Sequence, residues 1–168
     1  QLTGCEGFFV SAVRYGLHPL QQPLMQALSR VSVPAVMERQ LVRTERMITP
    51  DQARLLLETN PMWLVIERSS EEKPVLALKA VELARWLLEH DEALQGQAPP
   101  EDELIDLLEI PGQRLELAPI GLQATLSEAF LKLQDNALGA LYVVHGYRPK
   151  QQRISGIITR GAIERYYH

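Results

Sequence analysis

The pattern of hydrophobic and polar positions occurs twice along the chain, with the same order of spacings in each copy. In each copy a polar helix start precedes apolar residues at helical spacing. Two short apolar runs separated by a polar turn then lead into a second helical pattern. Three matched pairs align the copies: Ala53 with Ala129, Val65 with Val143, and Leu78 with Ile158. The pattern predicts a duplicated helix–strand–strand–helix unit, and paired units of this kind create a shared cleft.

The first copy carries a strong helix start. Thr49 can cap the helix, Pro50 fits its first position, and Gln52 can complete a capping box. Three strands are predicted around this helix, over residues 41–48, 63–66 and 75–78. A closing helix is predicted from apolar residues at helical spacing: Ala80, Leu83, Ala84, Leu87 and Leu88.

The second copy repeats the same chemistry. Thr125 and Glu128 form a second predicted capping box at the same place in the unit. The helix after it has a predicted buried stripe of Leu126, Ala129, Phe130 and Leu133. Two strands over 139–144 and 154–159 and a closing helix over 161–167 complete the unit.

Four segments follow from this organisation: a leader over 1–33, a first unit over 34–91, an acidic linker over 92–113, and a second unit over 114–168. The leader is expected to hold a short helix over 23–30. The linker is expected to hold a short acidic helix over 101–108, because carboxylates in a first turn complement the helix dipole. Since the chain begins at Gln1 rather than Met, we expect a fragment of a longer protein.

Composition narrows the function classes. A formal net charge of −4 argues against a nucleic-acid surface. The single Cys5 excludes an internal disulfide and a multi-cysteine metal site. No apolar run approaches the ~18 residues of a membrane-spanning helix. The four histidines, expected on the surface or in loops, are scattered without zinc-ligand spacing, and no nucleophile, base or metal set converges. We therefore predict a protein that is not an enzyme, with no catalytic residues and no metal.

The order of elements resembles a tandem pair of CBS domains, the Bateman module. The run I-S-G-I-I-T-R-G-A-I at 154–163 is similar to the closing pattern of that family, and Val36-Met37 before Arg39 resembles the opening of many first copies. The resemblance implies an α/β fold in which each unit packs a small sheet against two helices. It also implies a pseudo-two-fold relation between the units, two clefts that often bind adenine nucleotides, and dimerisation.

The leader adds a narrower resemblance. R-Y-G-L-H-P-L at 14–20, P-L-M-Q-A-L-S-R-V at 23–31 and V-P-A-V-M at 33–37 resemble the segment that joins the last membrane helix of bacterial chloride-channel (ClC) proteins to their CBS pair. This implies a regulatory domain at the cytoplasmic face of the inner (plasma) membrane, a homodimer, and a transmembrane part in the same polypeptide. The alternative is a stand-alone CBS-pair nucleotide sensor that regulates a soluble enzyme.

The family places a Ser or Thr and, three positions on, an acidic residue against the nucleotide. The second copy has Thr159 but Ala162, and the first has Lys79 and Glu82, so neither set is complete. The resemblance implies an adenine nucleotide (ATP, ADP or AMP) as the candidate ligand. The candidate binding residues are Thr159, Arg160, Lys79, Glu82, Trp63 and Tyr142. The two aromatic residues could flank an adenine, and packing in the core or an interface is the alternative for both.

Overall fold

The computed structural model describes residues 22–68, 73–136, 138–145 and 153–167. The helices of this part are α1 (Gln22–Leu28), α2 (Pro50–Glu58), α3 (Ala80–Leu94), α4 (Leu126–Asp135) and α5 (Arg160–Tyr167), with a 3-10 turn at Val33–Ala35. The strands are β1 (Leu41–Glu45), β2 (Met47–Ile48), β3 (Trp63–Arg68), β4 (Lys73–Lys79), β5 (Ile105–Asp106), β6 (Arg114–Gly121), β7 (Ala140–His145) and β8 (Arg153–Thr159). The α/β class is confirmed. The leader upstream of Gln22, with Cys5, lies outside the described residues.

One mixed sheet of six strands runs through both copies, in the order β1-β3-β4-β6-β7-β8. Each copy contributes a parallel pair, β1 with β3 and β6 with β7, and an antiparallel pair, β3 with β4 and β7 with β8. The antiparallel contact of β4 with β6 joins the copies. At the other edge Glu38 bridges to Ile157 of β8, and β1 begins at Leu41. The two edges of the sheet are therefore linked by a few residues of chain, which curls the sheet.

The strand register proves the duplication and corrects one part of its alignment. Both copies carry a bulge at the same place, after Ile66 in β3 and after Val143 in β7. Trp63 faces Lys79 as Ala140 faces Thr159, so Val65 corresponds to Tyr142 and its predicted match with Val143 is wrong. Because both strands are apolar on both faces, they lack the alternation that would fix the register from sequence.

The two helix caps differ in detail. Thr49 forms the full capping box: its hydroxyl accepts from the Gln52 backbone N–H at 3.1 Å, and the Gln52 side chain accepts from the Thr49 N–H at 2.9 Å. Thr125 accepts from the Glu128 N–H at 3.3 Å, but the Glu128 carboxylate faces the Thr125 hydroxyl at 3.4 Å. The second box is therefore only half formed, although both helices start where predicted. The predicted stripe of α4 is buried throughout.

The predicted acidic helix over 101–108 is wrong. This stretch consists of turns and β5, whose Ile105 pairs with Ile48 of β2. Ile105, Leu107 and Ile110 are buried in the core of the first copy, so tertiary pairing overrides the local helix signal. Helix α3 runs on to Leu94, so the first residues of the predicted linker are helical. The segment boundaries stay predictions.

Each copy has its own core, and a third cluster joins them. Trp63, Val65 and Ala77 of the first copy pack with Ala140 and Ile157 of the second. The chain before and at the start of the first copy packs on the second: Leu28, Val33 and Met37 are buried in the same cluster as the apolar stripe of α4. Backbone bonds fix this docking, from Val33 N–H to Ala124 O at 2.9 Å and from Leu126 N–H to Val31 O at 2.9 Å.

Acid should weaken the β2–β5 pair through Asp106. Arg46 donates to both oxygens of this carboxylate, at 2.9 and 2.7 Å, and these hydrogen bonds lower the pKa of Asp106. The pair therefore stabilises the fold above the ordinary carboxyl pKa of about 4, and this stabilisation is lost as the pH falls below that value. We expect Asp106→Asn to be less stable than the wild type at neutral pH, with a deficit that shrinks toward acid pH. Urea unfolding across the pH range, with the exposed Asp102→Asn as control, checks this. A deficit that is constant with pH would contradict it.

Candidate functional site

A cleft of about 460 Å³ lies between the two copies and brings together four of the six predicted site residues. Trp63 and Lys79 line it from the first copy, and Thr159 and Arg160 from the second. Lys79 and Thr159 end β4 and β8, where α3 and α5 begin. Trp63 begins β3 beside Lys79, and Arg160 is the first residue of α5. Equivalent positions of the duplicated unit therefore meet in one place, which we call the inter-unit cleft.

Trp63 and Lys79 are cross-strand neighbours. The Lys79 ammonium lies 5.9 Å from the centre of the Trp63 ring, within cation–π range. Trp63 is only 6% exposed and belongs to the cluster that joins the copies. The Trp63 ring therefore packs mainly in the core and exposes only a small part of its surface to the cleft.

Thr159 caps α5. Its hydroxyl accepts a hydrogen bond from the Ala162 backbone N–H at 3.1 Å. A Cβ at Gly161 would lie 3.4 Å from a guanidinium nitrogen of Arg165 and 3.9 Å from the Thr159 hydroxyl. The Arg165 side chain therefore folds back over the first turn of α5, beside the cleft.

Positive charge dominates the cleft. Its charged lining residues are the cations Lys79, Arg160 and Arg165 and the carboxylate of Glu38. The Arg160 guanidinium lies 5.7 Å from the Phe130 ring centre and bonds to Glu164 at 3.2 Å. Within the described part of the chain, neither Lys79 nor Arg165 has an ion pair. Two cations are thus left to interact with an anion in the cleft.

The other two predicted residues lie elsewhere. Glu82 accepts from Arg85 at 2.9 Å, and Gly112 packs against its side chain, where a Cβ would come within 2.7 Å. Tyr142 is buried in β7, and desolvation raises the pKa of its phenol. Neither of these two predicted residues lines the inter-unit cleft. Tyr142 packs in the core, which was the alternative for this residue.

Three polar residues of the cleft were missed from sequence. Arg165 could have been found, because it lies one turn from Gly161 on the same helix face. Gln113 and Glu38 carry no such signal. They reach the cleft only through long-range pairing, Glu38 by its bridge to Ile157 and Gln113 at the start of β6.

Two further open clefts occupy equivalent places in the two copies. One is lined by Thr44, Gln52 and neighbours, and the other by Ile120, Glu128 and neighbours. Both lie at the start of the capped helices, α2 and α4. Neither contains a predicted site residue.

His90 corrects the expectation that all histidines are surface or loop residues. It lies in α3, stacks on Trp86 at 4.8 Å between ring centres, and its Nε2 lies 2.6 Å from the Glu103 carboxylate. Its side chain is only 14% exposed. His145 ends β7 and is exposed, whereas His18 and His168 lie outside the described residues. Across the described ranges, no group of three or more His, Cys, Asp or Glu could hold a metal ion.

No helix in the described part of the chain is long and apolar enough to cross a membrane.

Solved structures identify the architecture as that of a CBS-domain pair. The CBS domain of a putative transporter from Clostridium difficile 630 is 16% identical, with a TM-score of 0.51, over 84% of this chain and 96% of that one. The predicted fold, two CBS units in one α/β module, is therefore confirmed.

Two other similar structures fall at lower scores. The CBS domain of a bacterial CNNM/CorC family Mg2+ transporter in complex with ATP is 14% identical, with a TM-score of 0.48, over 83% of this chain and 89% of that one. An uncharacterized conserved protein from Pyrococcus horikoshii is 17% identical, with a TM-score of 0.44, over 84% of this chain. The present chain spans 56% of the length of that protein. No known family model matches the sequence, and no curated protein matches it.

Proposed function

We propose that this chain is a regulatory CBS-pair domain that binds an adenine nucleotide in the inter-unit cleft. One observation carries the proposal: the cleft gathers Lys79, Arg160 and Arg165 beside Trp63 at the junction of the two copies. A ligand held there touches both copies at once. Its binding can therefore favour one arrangement of the pair, by no more than its differential affinity for the two arrangements.

The charges suit a phosphate chain. Lys79 and Arg165 have no carboxylate partner in the described residues, and the carboxylate partner of Arg160, beside its contact with the Phe130 ring, is Glu164 in an exposed ion pair. Exposed pairs of that kind are weak, so a phosphate can compete for the guanidinium. The backbone N–H groups at the start of α5 add a favourable potential for anions. The role that we propose is regulatory and not enzymatic.

Calorimetric titration with ATP, ADP and AMP tests the proposal. We expect ATP binding to weaken about ten-fold in Lys79→Ala and in Arg160→Ala, since losing a charge-assisted hydrogen bond costs about 1.5 kcal/mol and about 1.4 kcal/mol corresponds to ten-fold. Arg153→Ala is the matched control, because Arg153 is an exposed arginine at the start of β8, and Arg160 directly follows the other end of that strand. No binding of any of the three nucleotides at millimolar concentration would refute the proposal. An equal loss in the Arg153 variant would refute the cleft as its location.

The wider role that we propose is in a ClC-type chloride channel or transporter, as a domain at the cytoplasmic face of the membrane. The support is the sequence resemblance of the leader, whose part before Gln22 lies outside the described residues. Hydrophobic spans encoded upstream of Gln1 would agree with this role. A start codon close to Gln1 would favour the stand-alone sensor of a soluble enzyme.

The proposed assembly is a homodimer through the CBS pair. Leu55 of α2 and Val81 and Leu88 of α3 are more than half exposed, and apolar residues on adjacent helices are candidates for burial between subunits. Sedimentation velocity on the samples used for nucleotide titration measures the mass. A monomer at every concentration, with and without nucleotide, would contradict the dimer.

A further inference from the structure

Glu38 is held at the inter-unit cleft by the strand of the other copy. Its backbone N–H donates to Ile157 O at 2.7 Å, and its carbonyl accepts from the Ile157 N–H at 2.9 Å. Gly156 makes this approach possible, because a Cβ there would lie 2.8 Å from Glu38 O. The backbone that carries the Glu38 carboxylate is therefore fixed through both its N–H and its carbonyl group.

The side chain of Glu38 is half-buried and only partly used. Its Oε1 accepts from the Gln40 backbone N–H at 2.9 Å. No ion pair neutralises it within the described part of the chain. The second carboxylate oxygen has no hydrogen bond there, and Glu38 is one of the residues that line the cleft.

A carboxylate in a cleft for a phosphate ligand needs its own explanation, since it repels the anion that the cations attract. A nucleotide carries a second kind of polar group, the sugar hydroxyls, which are donors. A carboxylate accepts from such donors with charge-assisted strength. Of the other acceptors, the Thr159 hydroxyl is neutral and already accepts one hydrogen bond, from the Ala162 N–H. The neutral amide of Gln113 is the weaker alternative, which leaves Glu38 as the strongest acceptor of the cleft.

We propose that Glu38 accepts a hydrogen bond from a sugar hydroxyl of the bound nucleotide, and so makes the cleft prefer a nucleotide over a free polyphosphate. This inference rests on the proposed function and adds the residue that recognises the sugar of the nucleotide. It also ties the ligand to the start of the first copy, because Glu38 follows Val33 and Met37, which are docked on the second copy.

Titration of the wild type and Glu38→Gln with three probes tests this inference: ATP, 2′-deoxy-ATP and inorganic tripolyphosphate. In the wild type we expect ATP to bind about ten-fold more tightly than 2′-deoxy-ATP, the effect of one charge-assisted hydrogen bond. In Glu38→Gln, ATP binding should weaken to the level of 2′-deoxy-ATP. Tripolyphosphate should bind equally well or more tightly, because a negative charge is gone. Glu116→Gln, which removes an exposed carboxylate of β6 outside the cleft, should change none of the three.

The outcomes separate the two proposals. A wild type that binds none of the probes refutes the nucleotide function itself. A wild type that binds ATP and 2′-deoxy-ATP equally refutes a contact to the 2′ hydroxyl, and repeating the comparison with 3′-deoxy-ATP decides the other hydroxyl. Equal weakening of ATP and tripolyphosphate in Glu38→Gln would overturn the inference, because it would mean that the residue only shapes the cleft. The wild-type comparison of probes holds even if the variant folds poorly.

Discussion

Replacing Gly156 with valine should destabilise the fold by about 2 to 4 kcal/mol, the combined effect of overpacking and of lost backbone hydrogen bonds. A Cβ at this position would lie 2.8 Å from Glu38 O and 2.8 Å from the Met37 side chain. The backbone oxygen cannot rotate away as a flexible side chain could. The bridge between Glu38 and Ile157 must therefore open, and with it the link between the two edges of the sheet.

Gly121→Val is the matched control for this experiment. Gly121 also lies in a strand of the sheet, as the last residue of β6, but nothing lies within 4 Å of its Cβ position. We expect this variant to stay within about 0.5 kcal/mol of the wild type, as most surface changes do. Urea unfolding gives both values. Equal stability of the two valine variants would show that the approach at Gly156 is not a constraint on the fold.

Truncating Leu141 to alanine should cost about 2 to 5 kcal/mol, the usual range for a buried leucine. Leu141 is fully buried in the core of the second copy, and Leu64, its equivalent in the first, is fully buried too. Leu55→Ala, at a 61% exposed position, is the control. The size of the loss should be similar in Leu64→Ala, because the two sites are related by the duplication.

The same variant shows whether the copies unfold together. Trp86 packs against the core of the first copy and Trp63 packs in the cluster that joins the copies, so tryptophan fluorescence reports on the first copy and on that junction. Circular dichroism reports on both copies. Because β4 pairs with β6 and the copies share a core cluster, Leu141→Ala should shift the fluorescence transition as far as the dichroism transition. A fluorescence transition that stays at the wild-type denaturant concentration would mean that the copies unfold independently.

Local signals predicted much of this fold. The caps at Thr49 and Thr125 and the helical spacing after them depend on neighbouring residues, so the sequence contains them in full. The stretch 101–108 shows where local signals fail. Its carboxylates suit a helix start, yet Ile105 pairs with Ile48 in a two-stranded sheet. Pairing with a strand that is distant in sequence sets the secondary structure of this stretch, and it overrides the local helix propensity.

The site divides in the same way. Lys79 and Thr159 were predicted from equivalent positions in the repeat, and the structure places both in one cleft. Tyr142 is buried and does not line this cleft. A strand that is apolar on both faces gives no alternation to show which of its residues face the cleft. Glu38 reaches the cleft by a long-range bridge, so no local pattern in the sequence indicates it. The two incomplete ligand motifs, Thr159 with Ala162 and Lys79 with Glu82, do not include Glu38, which lies outside both of them.

The docking of Leu28, Val33 and Met37 in the core of the second copy has a consequence for how such a chain can be divided. The repeat boundary in the sequence is not a boundary between independent bodies, since the second copy is completed by residues that precede the first or begin it. The arrangement is an exchange of elements within one polypeptide, comparable to domain swapping between subunits. A cut between the copies would therefore leave the second with an open apolar surface and the first with an unattached segment.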